Sequence, residues 1–195
     1  MNTGTAIETD RLFLLPGQND RDSAPFLHML REDGNFKEFC GLDFLEKYLA
    51  GFASYFENTG HEECIYSIFQ KTDSNKFIGY VGFHREYNGD YELEFYISKD
   101  FRRLGYCKEA CNAVINQVFN AGISVDENPL TVSKLYATTL ADNKNTIGLL
   151  TKLGFKENIP KDGPVLVMQG FVDKEDDTFF GNMVVKMVKE KEENI

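Results

Sequence analysis

The residues of this 195-residue chain that could do chemistry are concentrated in DFRRLGYCKEACNAV, residues 100–114. The segment contains Arg102, Arg103 and Gly105, and it then passes into a helical pattern without a polar loop. A helix that begins directly after a strand has main-chain N–H groups without partners and the positive end of its dipole at that point. An anion, commonly phosphate, satisfies both needs. Gly105 has no Cβ to keep such a ligand away, and the arginines add positive charge. The segment therefore predicts a diphosphate cradle.

Other phosphate-binding motifs fit this segment less well. It lacks the GK[ST] ending of a Walker loop and the three glycines of a dinucleotide fingerprint. The pattern R-x-x-G-x-C is too short to be specific by itself. Two solvated arginines and a glycine needed for tight packing would produce it equally well, so the elements around it must decide.

Those elements alternate between strand and helix patterns. Strands are predicted for residues 11–16, 63–70, 76–87, 91–98, 134–141, 164–172 and 179–188, the last two as a terminal hairpin. Helices are predicted for residues 19–33, 42–56, 104–121 and 142–153. Asp20 or Asp22 could cap the first helix, and Gly34, Gly122 and Gly154 follow three of the helix ends. The order βααβββαβαββ predicts a mixed sheet covered by helices, an α/β (α+β) fold.

Composition excludes several function classes. The net charge of −10 argues against a nucleic-acid binder, which needs a basic face, and favours weakly a cationic partner such as an amine. No apolar run is long enough to span a membrane, and no signal peptide opens the chain. The four cysteines form no CxxC pair and have no histidines at ligand spacing, so we expect reduced thiols, no metal and a cytoplasmic protein. The length predicts one domain, residues 1–188, followed by a charged tail, residues 189–195.

Three separated segments give the chain a family resemblance. ETDRLFLLP (residues 8–16) is similar to the opening strand of a known protein family. YELEFYISKDFRRLGYCKEA (residues 91–110) is similar to the same family's fourth strand and acyl-CoA loop. YATTLADNKNTIGLLTKLGF (residues 136–155) is similar to a fifth strand and its following helix. In these segments the chain resembles the GNAT superfamily of acetyl-CoA-dependent N-acetyltransferases, most closely its ribosomal-protein branch. The resemblance implies the GNAT fold, with a central mixed, mostly antiparallel, twisted sheet of about seven strands flanked by helices.

The resemblance also implies where acetyl-CoA binds. The family's loop pattern is Gln/Arg-x-x-Gly-x-Gly/Ala. Arg102 stands at its first position and Gly105 at its glycine, whereas Cys107 departs from the preferred glycine or alanine. The residues implied to hold the diphosphate, mainly through their main-chain N–H groups, are Arg103, Leu104, Gly105, Tyr106, Cys107 and Lys108. Backbone groups of Tyr96 and Ile97 would pair with the pantetheine arm. Asn143 would face the cofactor, and its alternative interpretation is a plain N-cap.

Acetyl transfer to an amine needs a general base. An alkyl amine with a pKa of about 10.4 is mostly protonated at neutral pH, and the ammonium has no lone pair with which to attack. Glu92 matches the glutamate often found early in the family's fourth strand and is the first candidate. Glu94 lies on the same face of a regular strand and is the second. Either could instead be a surface carboxylate. A main-chain N–H near Tyr96 or Ile97 would stabilise the oxyanion. Thr151 occupies the place where many members carry a tyrosine acid, so the proton donor to the thiolate is left open.

The acceptor is also left open. A protein or peptide N-terminal amine and a small-molecule amine both fit the resemblance, and an aromatic second helix containing Tyr48, Tyr55 and Phe56 could line the acceptor cleft or be buried. A homodimer is common among related proteins. A rival hypothesis is an acyl-CoA-binding sensor without turnover, which the missing tyrosine keeps open, and a weaker one is a purely structural interaction domain.

Overall fold

The computed structural model describes residues 5–33, 64–72, 75–86, 89–125, 128–130, 132–158, 167–172 and 179–192. Contacts within the chain divide it into two compact units. The first consists of residues 1–85 and 93–132, and the second of residues 86–92 and 133–195. The predicted single domain of residues 1–188 stays a prediction.

The first unit is built on a sheet. Its strands are Ile7–Glu8 (β1), Leu12–Pro16 (β2), Cys64–Gln70 (β3), Lys76–Arg85 (β4) and residues 93–97 of Tyr91–Ile97 (β5). They lie in the order β1-β2-β3-β4-β5, and the first three neighbouring pairs are antiparallel. The helices are Asn19–Glu32 (α1) and Tyr106–Ala121 (α2), with a 3₁₀ turn at Lys99–Phe101. A hairpin of Ile123–Val125 (β6) and Asn128–Leu130 (β7) completes the unit.

The core of the first unit follows from the periodicity of its elements. Five consecutive residues of β3 are buried, as expected for an inner strand covered on both faces. Helix α1 contributes buried Phe26, Met29 and Leu30, one face of the helix, and the Phe26 ring meets the Tyr80 ring edge-on at 5.5 Å. Helix α2 packs against β2 and β4. The two helices therefore hold the sheet whose last strand leads into the predicted cradle.

The second unit surrounds a long strand. Its elements are Tyr91 and Glu92 of β5, Lys134–Leu140 (β8), Lys144–Lys152 (α3), Lys156–Glu157 (β9), Val167–Val172 (β10) and Phe179–Glu190 (β11). Strand β11 is antiparallel to β8, β9 and β10, whereas β5 is parallel to β8 at the pair Glu92 and Tyr136. The fold is thus a mixed α/β fold with mostly antiparallel pairing.

Most of the predicted elements are confirmed. The terminal hairpin is present as β10 and β11, and the helix ends at Gly122 and Gly154 have φ angles of 79° and 88°. The hairpin of β6 and β7 was not predicted. The predicted helix at residues 42–56, with Tyr48, Tyr55 and Phe56, lies outside the described residues, as does Gly34. Strand β11 extends through Glu190 and so includes the first two residues of the predicted tail.

The predicted cap of α1 is wrong. Gln18 is the N-cap residue, and Asp22 lies inside the first turn, where its carboxylate accepts a hydrogen bond from the Gln18 N–H at 2.8 Å. Asp22 is fully buried and also accepts a hydrogen bond from the Ser67 hydroxyl at 2.5 Å. The carboxylate of Asp22 is therefore held by contacts in the interior of the fold and does not serve as the N-cap of α1. None of the described helices is long and apolar enough to cross a membrane.

Candidate active site

The predicted cradle is the bend between the 3₁₀ turn and α2. Gly105 is the N-cap residue of α2 with a φ of 85°, and Arg103 has a φ of 61°. A left-handed conformation at two nearby positions turns the chain sharply into the helix, and glycine adopts it without strain. No side chain of the described residues caps α2. The Glu109 main-chain N–H donates the hydrogen bond that closes the first turn, to the Gly105 carbonyl at 3.1 Å, so the earlier N–H groups of the helix have no acceptor one turn back.

The exposure of the bend fits an anion ligand. Arg103, Leu104, Gly105 and Lys108 are exposed, and Cys107 is partly exposed with a free thiol. Tyr106 is buried and anchors the start of α2, because its hydroxyl accepts a hydrogen bond from the Gln70 amide at 2.7 Å. Two exposed cations and an uncapped helix N-terminus are the features that a diphosphate requires. The residues present therefore fit the diphosphate of coenzyme A.

Arg102 has partners within the protein. Its Nε donates to the Ile97 carbonyl at 2.9 Å, and its Nη2 donates to Asp33, whose side chain is only 4% exposed. The guanidinium also lies over the Tyr96 ring at 5.3 Å, and the Tyr96 hydroxyl donates to the same Asp33 oxygen. About a third of the Arg102 side chain, 34%, stays exposed. Arg102 thus ties the bend to the end of α1, a role that sequence analysis did not predict.

Tyr96 and Ile97 lie where β5 approaches β4 closely. A Cβ at Gly79 would lie 2.1 Å from the Tyr96 carbonyl oxygen, so only glycine permits this approach. Ile97 is buried, and its carbonyl is the acceptor for Arg102. Pairing of a pantetheine arm with these two residues stays a prediction, and the Ile97 carbonyl already has a protein donor.

A cation from the N-terminal region lies against the bend. Arg11 Nη1 donates to the Leu104 carbonyl at 3.0 Å, and Arg11 Nε donates to Glu109 Oε2 at 2.7 Å. The Thr9 hydroxyl and the Arg11 main-chain N–H donate to Glu109 Oε1 at 2.6 and 3.0 Å. Desolvation alone would raise the pKa of Glu109, but these hydrogen bonds and the Arg11 charge outweigh it and lower that pKa.

Glu92 and Glu94 are both partly exposed residues of β5. The strand alternates, with Tyr91, Leu93 and Ile97 buried, so the two glutamates share the opposite face as predicted. Glu92 Oε1 accepts a hydrogen bond from the Thr138 main-chain N–H at 2.9 Å, which fixes the orientation of the carboxylate. Glu94 lies 3.9 Å from His84 Nδ1.

Asn143 and Thr151 lie on α3 and its N-cap. Asn143 is the N-cap residue, and its Oδ1 accepts a hydrogen bond from the Thr146 N–H at 3.1 Å. Thr151 is exposed and its hydroxyl donates to the Ile147 carbonyl at 2.9 Å, one turn back in the helix. Asn143 therefore has a structural role whether or not it also faces a cofactor.

Replacing Asn143 with alanine is expected to lower the free energy of unfolding by about 1 kcal/mol, because the Thr146 N–H loses its acceptor. Urea unfolding measures this change. Asn143→Ser is the matched control, since the serine oxygen can also accept the cap hydrogen bond and the change removes the amide without adding a charge. Wild-type stability in the alanine variant would contradict the cap, and weaker coenzyme A binding by the serine variant at unchanged stability would indicate a role for the amide.

Comparison with known proteins gives consistent matches. The model of the acetyltransferase (GNAT) domain matches residues 11–156. An uncharacterized N-acetyltransferase of Bacillus subtilis (strain 168) is 34% identical over 90 residues, and the match spans 45% of this chain and 49%, about half, of that relative. The microcin C7 self immunity acetyltransferase, solved in complex with acetyl-CoA and AMP, has a TM-score of 0.67 at 15% identity over 94% of both chains. A ribosomal L7/L12 alpha-N-protein acetyltransferase in complex with coenzyme A has a TM-score of 0.59 at 12% identity over 95% of this chain and 98% of the other.

Proposed function

Because the chain belongs to the GNAT acetyltransferase family, we propose that it transfers an acetyl group from acetyl-CoA to a primary amine. The observation that carries this proposal is the uncapped start of α2 at Gly105, directly after the bend that contains Arg102 and Arg103. The family match includes the whole of this bend. Solved proteins of the same fold have been crystallised with acetyl-CoA or coenzyme A, which supports the same cosubstrate here.

The proposed cosubstrate site has an electrostatic rationale. The main-chain N–H groups of residues 103–107 would donate to the diphosphate oxygens, with the exposed side chains of Arg103 and Lys108 adding positive charge. Acetyl-CoA supplies the thioester carbonyl that the amine attacks. Tyr96 and Ile97 are proposed to meet the pantetheine arm through main-chain groups, and the Ile97 carbonyl already accepts a hydrogen bond from Arg102.

Glu92 is the proposed general base. Its Oε1 is held by the Thr138 N–H, so Oε2 can accept a proton from the incoming ammonium, directly or through a water molecule. Glu94 is the alternative base on the same face of β5. Position 151 is a threonine where many family members carry a tyrosine, and the Thr151 hydroxyl already donates a hydrogen bond within its helix. We therefore do not assign Thr151 as the donor of the proton that the leaving thiolate takes up.

The class of acceptor follows from charge and from the relatives. The net charge of −10 favours a cationic acceptor. A ribosomal L7/L12 alpha-N-protein acetyltransferase shares the fold, which supports a protein or peptide N-terminal amine. A self immunity acetyltransferase also shares it, which supports a small-molecule amine. We place the peptide α-amine first, because the motifs resemble the ribosomal-protein branch most closely.

An acceptor screen tests the proposed function. Acetyl-CoA is incubated with peptides carrying a free α-amine, the same peptides with a blocked N-terminus, polyamines and amine-bearing antibiotics. Release of free thiol is followed together with the mass of the acetylated product. We expect thiol release with a free-amine acceptor and none with its blocked counterpart. Absence of coenzyme A binding by calorimetry would contradict the proposal itself.

The sensor hypothesis remains the second candidate, and one observation favours it. Thr151 stands where many family members carry a catalytic tyrosine, and its hydroxyl is bound to the Ile147 carbonyl. A sensor would bind acetyl-CoA with a defined Kd and release no thiol with any amine. The acceptor screen and the calorimetry together therefore separate the enzyme, the sensor and a domain that binds no coenzyme A.

A further inference from the structure

The start of α2 is held by residues that are distant in sequence. Arg11 lies between the turn that follows β1 and the first residue of β2, and its side chain is 45% exposed. It bridges the two sides of the Gly105 bend, because it donates to the Leu104 carbonyl before the bend and to the Glu109 carboxylate in the first turn after it. The residues that the bridge joins are more than 90 positions apart in sequence, so the loop pattern at residues 102–107 gives no indication of it.

The guanidinium also packs on the bend. Its central carbon lies 4.4 Å from the centre of the buried Tyr106 ring, and a Cβ at Gly105 would lie 3.3 Å from Arg11 Nη2. Glycine at position 105 therefore serves two purposes, the left-handed φ angle and the close approach of Arg11. A Cβ there would require Arg11 Nη2 to shift by a few tenths of an ångström.

Glu109 needs a cation for electrostatic reasons. A carboxylate in the first turn of a helix is favourable for the dipole, but it repels an anion bound at the same helix end. Arg11 neutralises this carboxylate at 2.6 Å, and Glu109 is only 19% exposed. The pair therefore orders the first turn while leaving the positive potential of the N–H groups for a ligand.

We propose that Arg11 is a positioning residue for the coenzyme A diphosphate, because its bridge from Leu104 to Glu109 fixes the Gly105 bend with its N–H groups ready to donate. This inference rests on the proposed function, since it takes coenzyme A as the ligand of the bend. Arg11 acts through the main chain of the bend. Preorganised donors lose little entropy on binding, so loss of the bridge weakens binding of the diphosphate and leaves the chemical step unchanged.

Arg11→Met, which keeps the aliphatic stem, tests the proposal. We expect the Kd for coenzyme A, measured by calorimetry, to rise about tenfold or more, the effect of about one hydrogen bond to a charged group. At saturating acetyl-CoA, kcat should stay within about twofold of the wild type, which is a KM effect without a kcat effect. Acetyl-pantetheine, which lacks the diphosphate and nucleotide, should be used with an unchanged kcat/KM. Equal losses with both acyl donors, or an unchanged Kd, would overturn the inference.

Two further variants keep the test decisive. Lys134→Met is the matched control, because Lys134 pairs with Glu190 at 2.7 Å in the second unit, outside the network of Arg11 and Glu109. It should leave the Kd for coenzyme A unchanged, and a loss equal to that of Arg11→Met would show a general charge effect. Arg11→Lys should remain folded, because it keeps a positive charge beside Glu109. It should still bind coenzyme A several-fold more weakly, because an ammonium cannot reproduce the planar guanidinium that bridges two acceptors. Wild-type affinity for coenzyme A in this variant would contradict a role for the bridge between Leu104 and Glu109. Thiol release by the wild type, measured separately, shows whether the proposed function itself stands.

Discussion

Replacing Glu92 with glutamine is expected to lower kcat by about 100-fold or more, with the Kd for coenzyme A unchanged. Glutamine has the same shape and can still accept the hydrogen bond that the Thr138 N–H donates to Oε1. The amide cannot accept a proton from the ammonium group of the acceptor, so it cannot generate the neutral amine that attacks the thioester. Steady-state kinetics at saturating acetyl-CoA give kcat, and calorimetry gives the affinity.

The pH dependence strengthens this test. A peptide α-amine, with a pKa of about 7.7–8.0, becomes neutral by itself once the pH exceeds that value, and an alkyl amine does so above about 10.4. The Glu92→Gln variant should therefore recover activity as the pH rises. The matched control is Glu94→Gln, which changes the neighbouring carboxylate on the same face of β5. It should leave most of the rate. A larger loss in Glu94→Gln than in Glu92→Gln would move the base to Glu94, and full activity of Glu92→Gln at every pH would reject Glu92.

The start of α2 could be predicted from the sequence because its signals are local. Apolar residues at helical spacing and the glycine that follows them predict a helix over residues 104–121. The observed helix begins two residues later, at Tyr106, because Gly105 is its N-cap residue, and Gly105 and Gly122 both have positive φ angles. Strands β3, β4 and β5 have the same property, since their alternation and turn residues are adjacent in sequence. Helix α3 also begins after a residue, Asn143, whose side chain caps it.

The contacts that hold the site could not be predicted in this way. The Arg11 and Glu109 pair is separated by 98 positions, and the Arg102 and Asp33 pair by 69. Charged residues are frequent in this chain, so no local pattern indicates which cation meets which carboxylate. Asp22 illustrates the same limit. The sequence predicts a helix cap there, but Asp22 is buried and accepts a hydrogen bond from the Ser67 hydroxyl, 45 positions away. Short strands such as β6 and β7, of three residues each, are too brief to show alternation.

Reversing the charge of Arg102 is expected to destabilise the fold by about 3–5 kcal/mol and to abolish measurable coenzyme A binding. Asp33 is buried, and it accepts hydrogen bonds from Arg102 and from the Tyr96 hydroxyl. Arg102→Glu would place a second carboxylate beside it and remove the guanidinium that pairs with it. It would also remove the donor to the Ile97 carbonyl. Urea unfolding and calorimetry with coenzyme A measure the two effects.

Exchanging the two charges separates the structural role of Arg102 from a role in binding. The double variant Arg102→Asp, Asp33→Arg restores an ion pair, so we expect it to recover part of the stability that Arg102→Glu loses. Its affinity for coenzyme A should remain at least about tenfold weaker than that of the wild type, because the cation no longer extends from the bend. Recovery of affinity together with stability would contradict a phosphate contact, and Arg102 would then act only by holding Asp33 and the Ile97 carbonyl. Since 34% of the Arg102 side chain is exposed beside the bend, the guanidinium can do both, and the double variant measures each contribution separately.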